Sequence, residues 1–362
     1  MNFIRPNLLS MQPYEAEVLP NIDKLDANEH PLDLPEWFKK KLSLVWERGI
    51  HSNRYPDANH RSLKRAIAAY AGVKPAQVSL GNGSDELIRS ILITTCLENR
   101  GGILVAPPTF SMYGIVARTL GIPVVSVPRN PTTFSLDLPA CNDAIANSET
   151  KDTPIRVVFL VSPNSPTGTL LTEAELEWAR SLPQSTMVVV DEAYFEFSQT
   201  SVVAELAQRP NWVVLRTFSK AFRLAAHRVG YTVSSPDLTQ VFEATRLPYN
   251  LPAISQWAAQ LALESAEELL ADIPKMVQER DRMWAELSLM SDVQVWPSGG
   301  NFLYFRVREH NLSDLHQSLV ERGSGLRHTG GGLRLSVGTP QENQRFLSNL
   351  KHILYPVPQA SV

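Results

Sequence analysis

The chain has 362 residues, enough at about 150 per domain for two domains and a large core. Hydrophobic residues make up 43% and charged residues 20%, which excludes a disordered or fibrous chain. Lys and Arg number 34 against 37 Asp and Glu, a formal net charge of −3. That balance leaves no basic footprint for nucleic acid or an anionic membrane, so small molecules are the expected partners.

The first twenty residues carry prolines and acids where a signal peptide needs a continuous apolar stretch, and no window approaches the ~18 apolar residues of a membrane span. The two cysteines, Cys96 and Cys141, form no CxxC, so neither a disulfide framework nor a thiolate metal site is expected. A cytoplasmic protein fits this usage.

Residues 1–50 lack strand–helix alternation and are expected to pack on a second domain or at an interface. From 51 to 250, short β-branched runs at 103–106, 124–127, 157–161, 188–190, 213–215 and 229–233 alternate with amphipathic stretches such as 62–71, which Gly72 would stop. This predicts an α/β fold: a large domain with a mostly parallel sheet between helices. After Tyr249 a long helical pattern through Leu269, Met276, Met283 and Leu287 precedes isolated strands at 302–307 and 333–337, read as a smaller α+β domain over 251–362.

Ligands of open α/β sheets bind beyond the carboxyl ends of the strands. Three strand ends here carry polar residues: Ser162 to Gly168 with Asn164, Asp191-Glu192-Ala193-Tyr194, and Thr217-Phe218-Ser219-Lys220. Singly, each is ordinary turn or cap chemistry. Together they place a Lys, an Asp and hydroxyl and amide donors at one site, the set that pyridoxal phosphate needs: an amine for a Schiff base, a carboxylate for the pyridine nitrogen, donors for the ring oxygen. Arg228 suits a phosphate, and Gly81-Asn82-Gly83-Ser84-Asp85-Glu86 precedes a helical run whose N-terminus could hold the same group. A P-loop reading fails because the chain has no Gly-Lys dipeptide; a dehydrogenase reading lacks GxGxxG, and a zinc site lacks HExxH.

These motifs, with Leu25 to Pro31, Asn53 to Asp57, Pro108-Thr109-Phe110 and Leu333 to Gly338, resemble the fold-type I aminotransferases nearly end to end, in the branch acting on histidinol phosphate. The resemblance implies a seven-stranded large domain and a homodimer that transaminates L-histidinol phosphate with 2-oxoglutarate in histidine biosynthesis. Nearby branches are aromatic amino-acid aminotransferases and phosphothreonine decarboxylases. It implies that Lys220 carries the cofactor, Asp191 pairs with the pyridine nitrogen, and Asn164 and Tyr194 bond the ring oxygen. Ser84, Asp85, Thr217, Ser219 and Arg228 would surround the phosphate, Phe110 would stack on the ring, and Tyr55 would reach in from the partner subunit. Tyr14, Asn28, Arg327 and Arg334 would lie on the substrate side, with no metal required. Two departures stand out: Ala226 where relatives commonly have glycine, and a short loop between Arg327 and Arg334.

Overall fold

Strand and helix alternate through the middle of the chain in the structure, a computed structural model that describes residues 3–12, 22–150 and 153–356. After the two-residue β1 (Asp23–Lys24) come β2 (Val78–Asn82), β3 (Gly102–Val105), β4 (Val124–Ser126), β5 (Ile155–Val161), β6 (Met187–Asp191), β7 (Trp212–Thr217) and β8 (Val229–Ser234). β2 to β8 form one seven-stranded sheet in the order β2-β8-β7-β6-β5-β3-β4. The neighbours from β4 to β7 pair in parallel, as expected. β8 is antiparallel to both β7 and β2, which corrects the parallel reading of 229–233. The reason is the link from β7: residues 218–228 hold only a short 3₁₀ turn, with no helix to carry a parallel crossover. Ala226 sits inside that turn, Ala225–His227, and the left-handed conformation falls on Arg228, φ 55°.

The remaining strands are β9 (Val293–Trp296), β10 (Phe302–Val307), β11 (Ser324–Gly325), β12 (Arg327–Thr329) and β13 (Gly332–Ser336). The segments read as isolated strands are in fact joined in an antiparallel sheet of order β12-β13-β10-β9. Its Leu303, Phe305, Leu333 and Leu335 face a core with Met283, Leu319 and Phe346 from the covering helices Ile273–Ser288, Leu312–Glu321 and Pro340–Leu354. The other face of the sheet turns toward the large domain. Helix Ala253–Glu264 places Ala258, Ala259 and Ala262 in the large-domain core, Ile273 and Met276 pack against Tyr194 and Phe197, and the small-domain core takes in Met283 and Leu287 of helix Ile273–Ser288.

The N-terminal segment belongs to both lobes. β1 pairs in parallel with β11, and Leu25 enters the small-domain core, while helix Glu36–Gly49 buries Phe38 in the large one. Residues 26–30 therefore cross between the lobes.

Side chains alternate along the buried strands, and that parity sorts the polar residues at the ends of β6 and β7. Val189, Val213 and Leu215 face one core cluster; Val188, Val190 and Val214 face the other. Asp191 and Thr217 follow the first set, Glu192 and Arg216 the second. Arg216 donates to Glu192 through Nε and Nη2 at 2.9 and 2.8 Å, and Glu192 also accepts from the Val202 amide at 2.7 Å and the Ser201 hydroxyl at 2.9 Å. Both side chains are almost fully buried, so this pair fastens the two strand ends from behind. Arg216→Met leaves a buried carboxylate without its cation, a loss of about 3–5 kcal/mol at pH 8. Because burial already raises Glu192's pKa and Arg216 opposes that rise, the loss should shrink as pH falls and Glu192 takes up a proton; urea unfolding at pH 8 and pH 5 measures both.

Candidate active site

A cavity of about 890 Å³ opens at the carboxyl ends of β5, β6 and β7, roofed by the strap 26–29 and the β12–β13 hairpin. Lys220, Asp191, Tyr194, Thr217 and Ser219 reach it from the strand ends. Ser84, Asp85 and Phe110 enter from helix starts and loops, Arg228 from the start of β8, and Arg327 and Arg334 from the hairpin. The structure thus brings these predicted side chains to one place.

Asp191 is buried, and desolvation pushes its carboxyl up to about 6. Tyr113 opposes this by donating its hydroxyl to Asp191 Oδ2 at 2.6 Å, as does the Ala193 amide to Oδ1 at 3.0 Å. Tyr113, itself buried and stacked on Phe159 at 4.3 Å, has its phenol pushed well up by desolvation and stays a donor. Lys220 donates from Nζ to the Ala27 carbonyl at 2.9 Å, and burial lowers its pKa. One acid and one amine are therefore both pushed toward their neutral forms in the same cavity.

The anion side is built by close backbone approach. Helix Ser84–Cys96 starts at Gly83, φ 76°, where a Cβ would stand 2.5 Å from Arg228 Nη2. A Cβ on Gly230 would fall 2.6 Å from the Ser84 nitrogen. Glycine at both positions lets β8 press against the helix N-terminus, whose amides point at the cavity together with the Arg228 guanidinium. Arg228 pairs with Asp85 at 3.2 Å, and Thr217 Oγ1 donates to Ser219 Oγ at 3.0 Å.

Asn164 and Asn28 stand behind the cavity lining, and Tyr55 lies away from it. Asn164 is fully buried and engaged: its Nδ2 donates to the Pro108 carbonyl at 3.0 Å and to Thr167 Oγ1 at 2.7 Å, while Oδ1 accepts from Thr109 at 2.9 Å. Asn28, also fully buried, donates from Nδ2 to the Tyr194 hydroxyl at 2.9 Å, which fixes that phenol from behind. Tyr55 is 80% exposed, outside the cavity, and stacks on Tyr249 at 4.4 Å. Tyr14 lies outside the described residues. Sequence reasoning missed Tyr113, although a buried phenol three residues after Phe110, at a helix start, must find an acceptor. It also missed Ser165 and the Asp26 carbonyl, both of which accept from Arg334.

Comparison with known proteins gives this arrangement a class. The model of the family Aminotransferase class I and II matches residues 20–350, and the chain belongs to that family. It is similar to the histidinol-phosphate aminotransferase of Synechococcus sp. (strain JA-2-3B'a(2-13)), 61% identical over 354 residues, 98% of this chain and 99% of the relative. The enzyme of the same name from Trichodesmium erythraeum is 48% identical over 376 residues, covering 97% and 99%. Among solved structures, histidinol-phosphate aminotransferase from Sinorhizobium meliloti in complex with pyridoxal-5'-phosphate shares the fold with a TM-score of 0.83, at 23% identity over 98% of each chain. L-threonine-O-3-phosphate decarboxylase from Porphyromonas gingivalis shares it at 0.76, with 21% identity over 91% of this chain and 98% of the other.

The folded protein holds the Asp191 proton more tightly than the unfolded chain, where such a carboxyl titrates near ~3.9. Asp191 therefore favours folding most below about pH 4 and costs stability as pH rises through 6, by roughly 3 kcal/mol when fully ionised. Asp191→Asn should stabilise the ligand-free protein at pH 8, with the gain disappearing between pH 6 and pH 4. Thermal unfolding of both proteins across that range is the measurement, and an advantage independent of pH would contradict the burial argument.

Proposed function

We propose that the chain is a pyridoxal-phosphate-dependent transaminase that moves an amino group between L-histidinol phosphate and 2-oxoglutarate, with imidazole-acetol phosphate and glutamate as the other pair, in histidine biosynthesis. Relatives of that name, 47% to 61% identical across nearly the whole chain, support the reading. The observation that carries the substrate side is a pairing of like charges. Arg327 and Arg334 stand directly opposite each other on β12 and β13, both on the cavity. Two planar guanidinium groups facing one cavity suit the bidentate recognition of an anionic substrate group.

The residues present fit pyridoxal phosphate. The glycine-built cradle with Arg228 and the Ser84 helix start would take the phosphate, Asp191 would face the ring nitrogen, and Tyr194 would face the ring oxygen. Bound there, the cofactor supplies an aldehyde that captures amines and a ring that draws electrons from the substrate Cα. Asp191 would hold a proton at the ring nitrogen, and a cation there would offset the cost of burying its carboxylate. Lys220 would supply the amine that holds the cofactor and, when free, would move the proton at the substrate Cα. Burial lowers its pKa and so favours the neutral amine that this transfer requires. The Ala27 carbonyl aims that amine, and Asn28 keeps the Tyr194 hydroxyl turned toward its role.

The functional unit is a homodimer in this reading, with Tyr55 completing the phosphate cradle of the partner subunit. An exposed Tyr55 stacked on Tyr249, next to Leu247 at 72% exposure, supports a self-interface there. A cytoplasmic location is consistent with two free, buried cysteines. Among the described residues no helix is long and apolar enough to cross a membrane.

Absorbance titration of the cofactor-loaded protein tests the assignment. L-histidinol phosphate should convert the cofactor band at far lower concentration than phenylalanine, and phosphothreonine should release no carbon dioxide. Lys220→Ala should still bind cofactor yet lose steady-state turnover; retained turnover removes the assignment. Arg334→Lys replaces a fork by a point charge and should raise KM for L-histidinol phosphate by roughly 10- to 100-fold, with a smaller effect on phenylalanine.

A further inference from the structure

The hairpin that carries Arg327 and Arg334 is short, and its position is determined from behind. Its turn residues Gly330 and Gly331 both have positive φ, 61° and 74°, the geometry of a tight two-residue hairpin. Tyr304 on β10 lies across β13: a Cβ on Gly332 would be 2.5 Å from its Cζ, so only glycine lets the ring pass over the strand. The hydroxyl then shares its one proton between the Thr329 carbonyl at 3.0 Å and the Gly330 carbonyl at 2.7 Å. Arg306 donates to the Gly331 carbonyl at 2.9 Å. Three consecutive carbonyls of the turn are thus gripped by two side chains of β10.

That grip is anchored in the large domain. Asn130 closes the loop 130–135 on itself, with its Oδ1 accepting from the Thr132 and Thr133 amides and its main chain bonding Ser135 and Phe134. The closed loop holds Phe134 at φ 57° and buries its ring against Trp296 at 4.7 Å and Tyr304 at 5.6 Å. Trp296 Nε1 donates to the Thr132 carbonyl at 2.6 Å. The Arg306 guanidinium lies 5.3 Å from both the Phe134 and Trp296 rings and donates to the Pro131 carbonyl at 3.1 Å. Register puts Trp296, Tyr304, Arg334 and Arg327 in one row across the sheet, so the contacts with the large domain and the two arginines share a face.

We propose that Tyr304, seated on Gly332 and backed by Phe134, Trp296 and Arg306, is a positioning residue. It sets where the Arg327–Arg334 pair stands over the cavity and therefore how tightly the anionic groups of both substrates bind. The proposal rests on the functional reading above for the identity of those substrates. Its physical content is preorganisation: two arginines on a free hairpin must be ordered when the anion arrives, whereas a hairpin bonded at three carbonyls is already in place. The side chains that would hold the cofactor come from other elements, so the effect belongs to substrate affinity and not to the chemical step.

Tyr304→Phe removes one hydroxyl and keeps the ring. Stopped-flow and steady-state assays of the cofactor-loaded enzyme should show KM for glutamate and for L-histidinol phosphate raised about tenfold, with kcat within about twofold and the cofactor spectrum unchanged. Gly332→Ala, which displaces the ring, should give the same split. Val295→Ala on the opposite face of the sheet is the control: it should lower the melting temperature and leave KM alone. The proposal is overturned if both site variants keep the wild-type KM for glutamate, or if Val295→Ala raises it as much for the same loss of melting temperature. Glutamate separates the two levels of the argument. A wild-type enzyme indifferent to L-histidinol phosphate defeats the substrate assignment, while the glutamate ratio between variant and wild type still decides the role of Tyr304.

Discussion

A carboxylate taken out of water at the end of a parallel strand is the constraint on which the rest of this site depends. Asp191 is covered on its strand's inner face by Tyr113 and held by one main-chain amide, and burial still drives it toward its neutral form. Across the same cavity the Lys220 amine is driven toward neutrality by the same dryness. Neither group is at ease alone. A ligand that brings a cationic nitrogen to one and an electrophilic carbon to the other relieves both, so the instability of the unliganded pocket and its affinity for such a ligand have one origin.

Strand parity keeps chemistry and support apart. Asp191 and Thr217 turn to the cavity while their neighbours Glu192 and Arg216 turn to the other face and lock the strand ends together. The Asp191 side chain bonds Tyr113 and the Ala193 amide and the Thr217 hydroxyl bonds Ser219, while Glu192 and Arg216 stay out of the cavity lining. A similar division runs through the small sheet, where one face packs on helices and the other carries the arginines.

How much of this was legible in the sequence follows from which forces act locally. The ends of β5, β6 and β7 could be read because apolar runs stop abruptly at polar residues, and Lys220, Asp191 and Tyr194 fall there. The direction of β8 could not, since a strand buried on both faces reads the same either way and only the length of its connection argues. Tyr113 and Tyr304 look like core aromatics to any periodicity argument; their hydroxyls acquire meaning only from acceptors far along the chain. β9 was missed because four residues, Val293 to Trp296, show too little alternation to stand out. Asn164 and Asn28 stand in recognisable motifs, yet their amides bond one main-chain carbonyl, several hydroxyls and a phenol, contacts that no spacing rule encodes.

The strap that crosses between the lobes has a consequence for the order of assembly. Asn28 bonds Ser336 at a separation of 308 residues, and Leu25 accepts from the same strand. Asn28 leaves the ribosome 308 residues ahead of its partner. The seven-stranded sheet is complete at Ser234, long before β13 exists, so the large domain can form while the strap waits. Closing so long a loop is entropically slow, and the topology therefore makes the carbonyl that aims Lys220 one of the final pieces to arrive. A nascent chain of this protein has a core well before it has an active site.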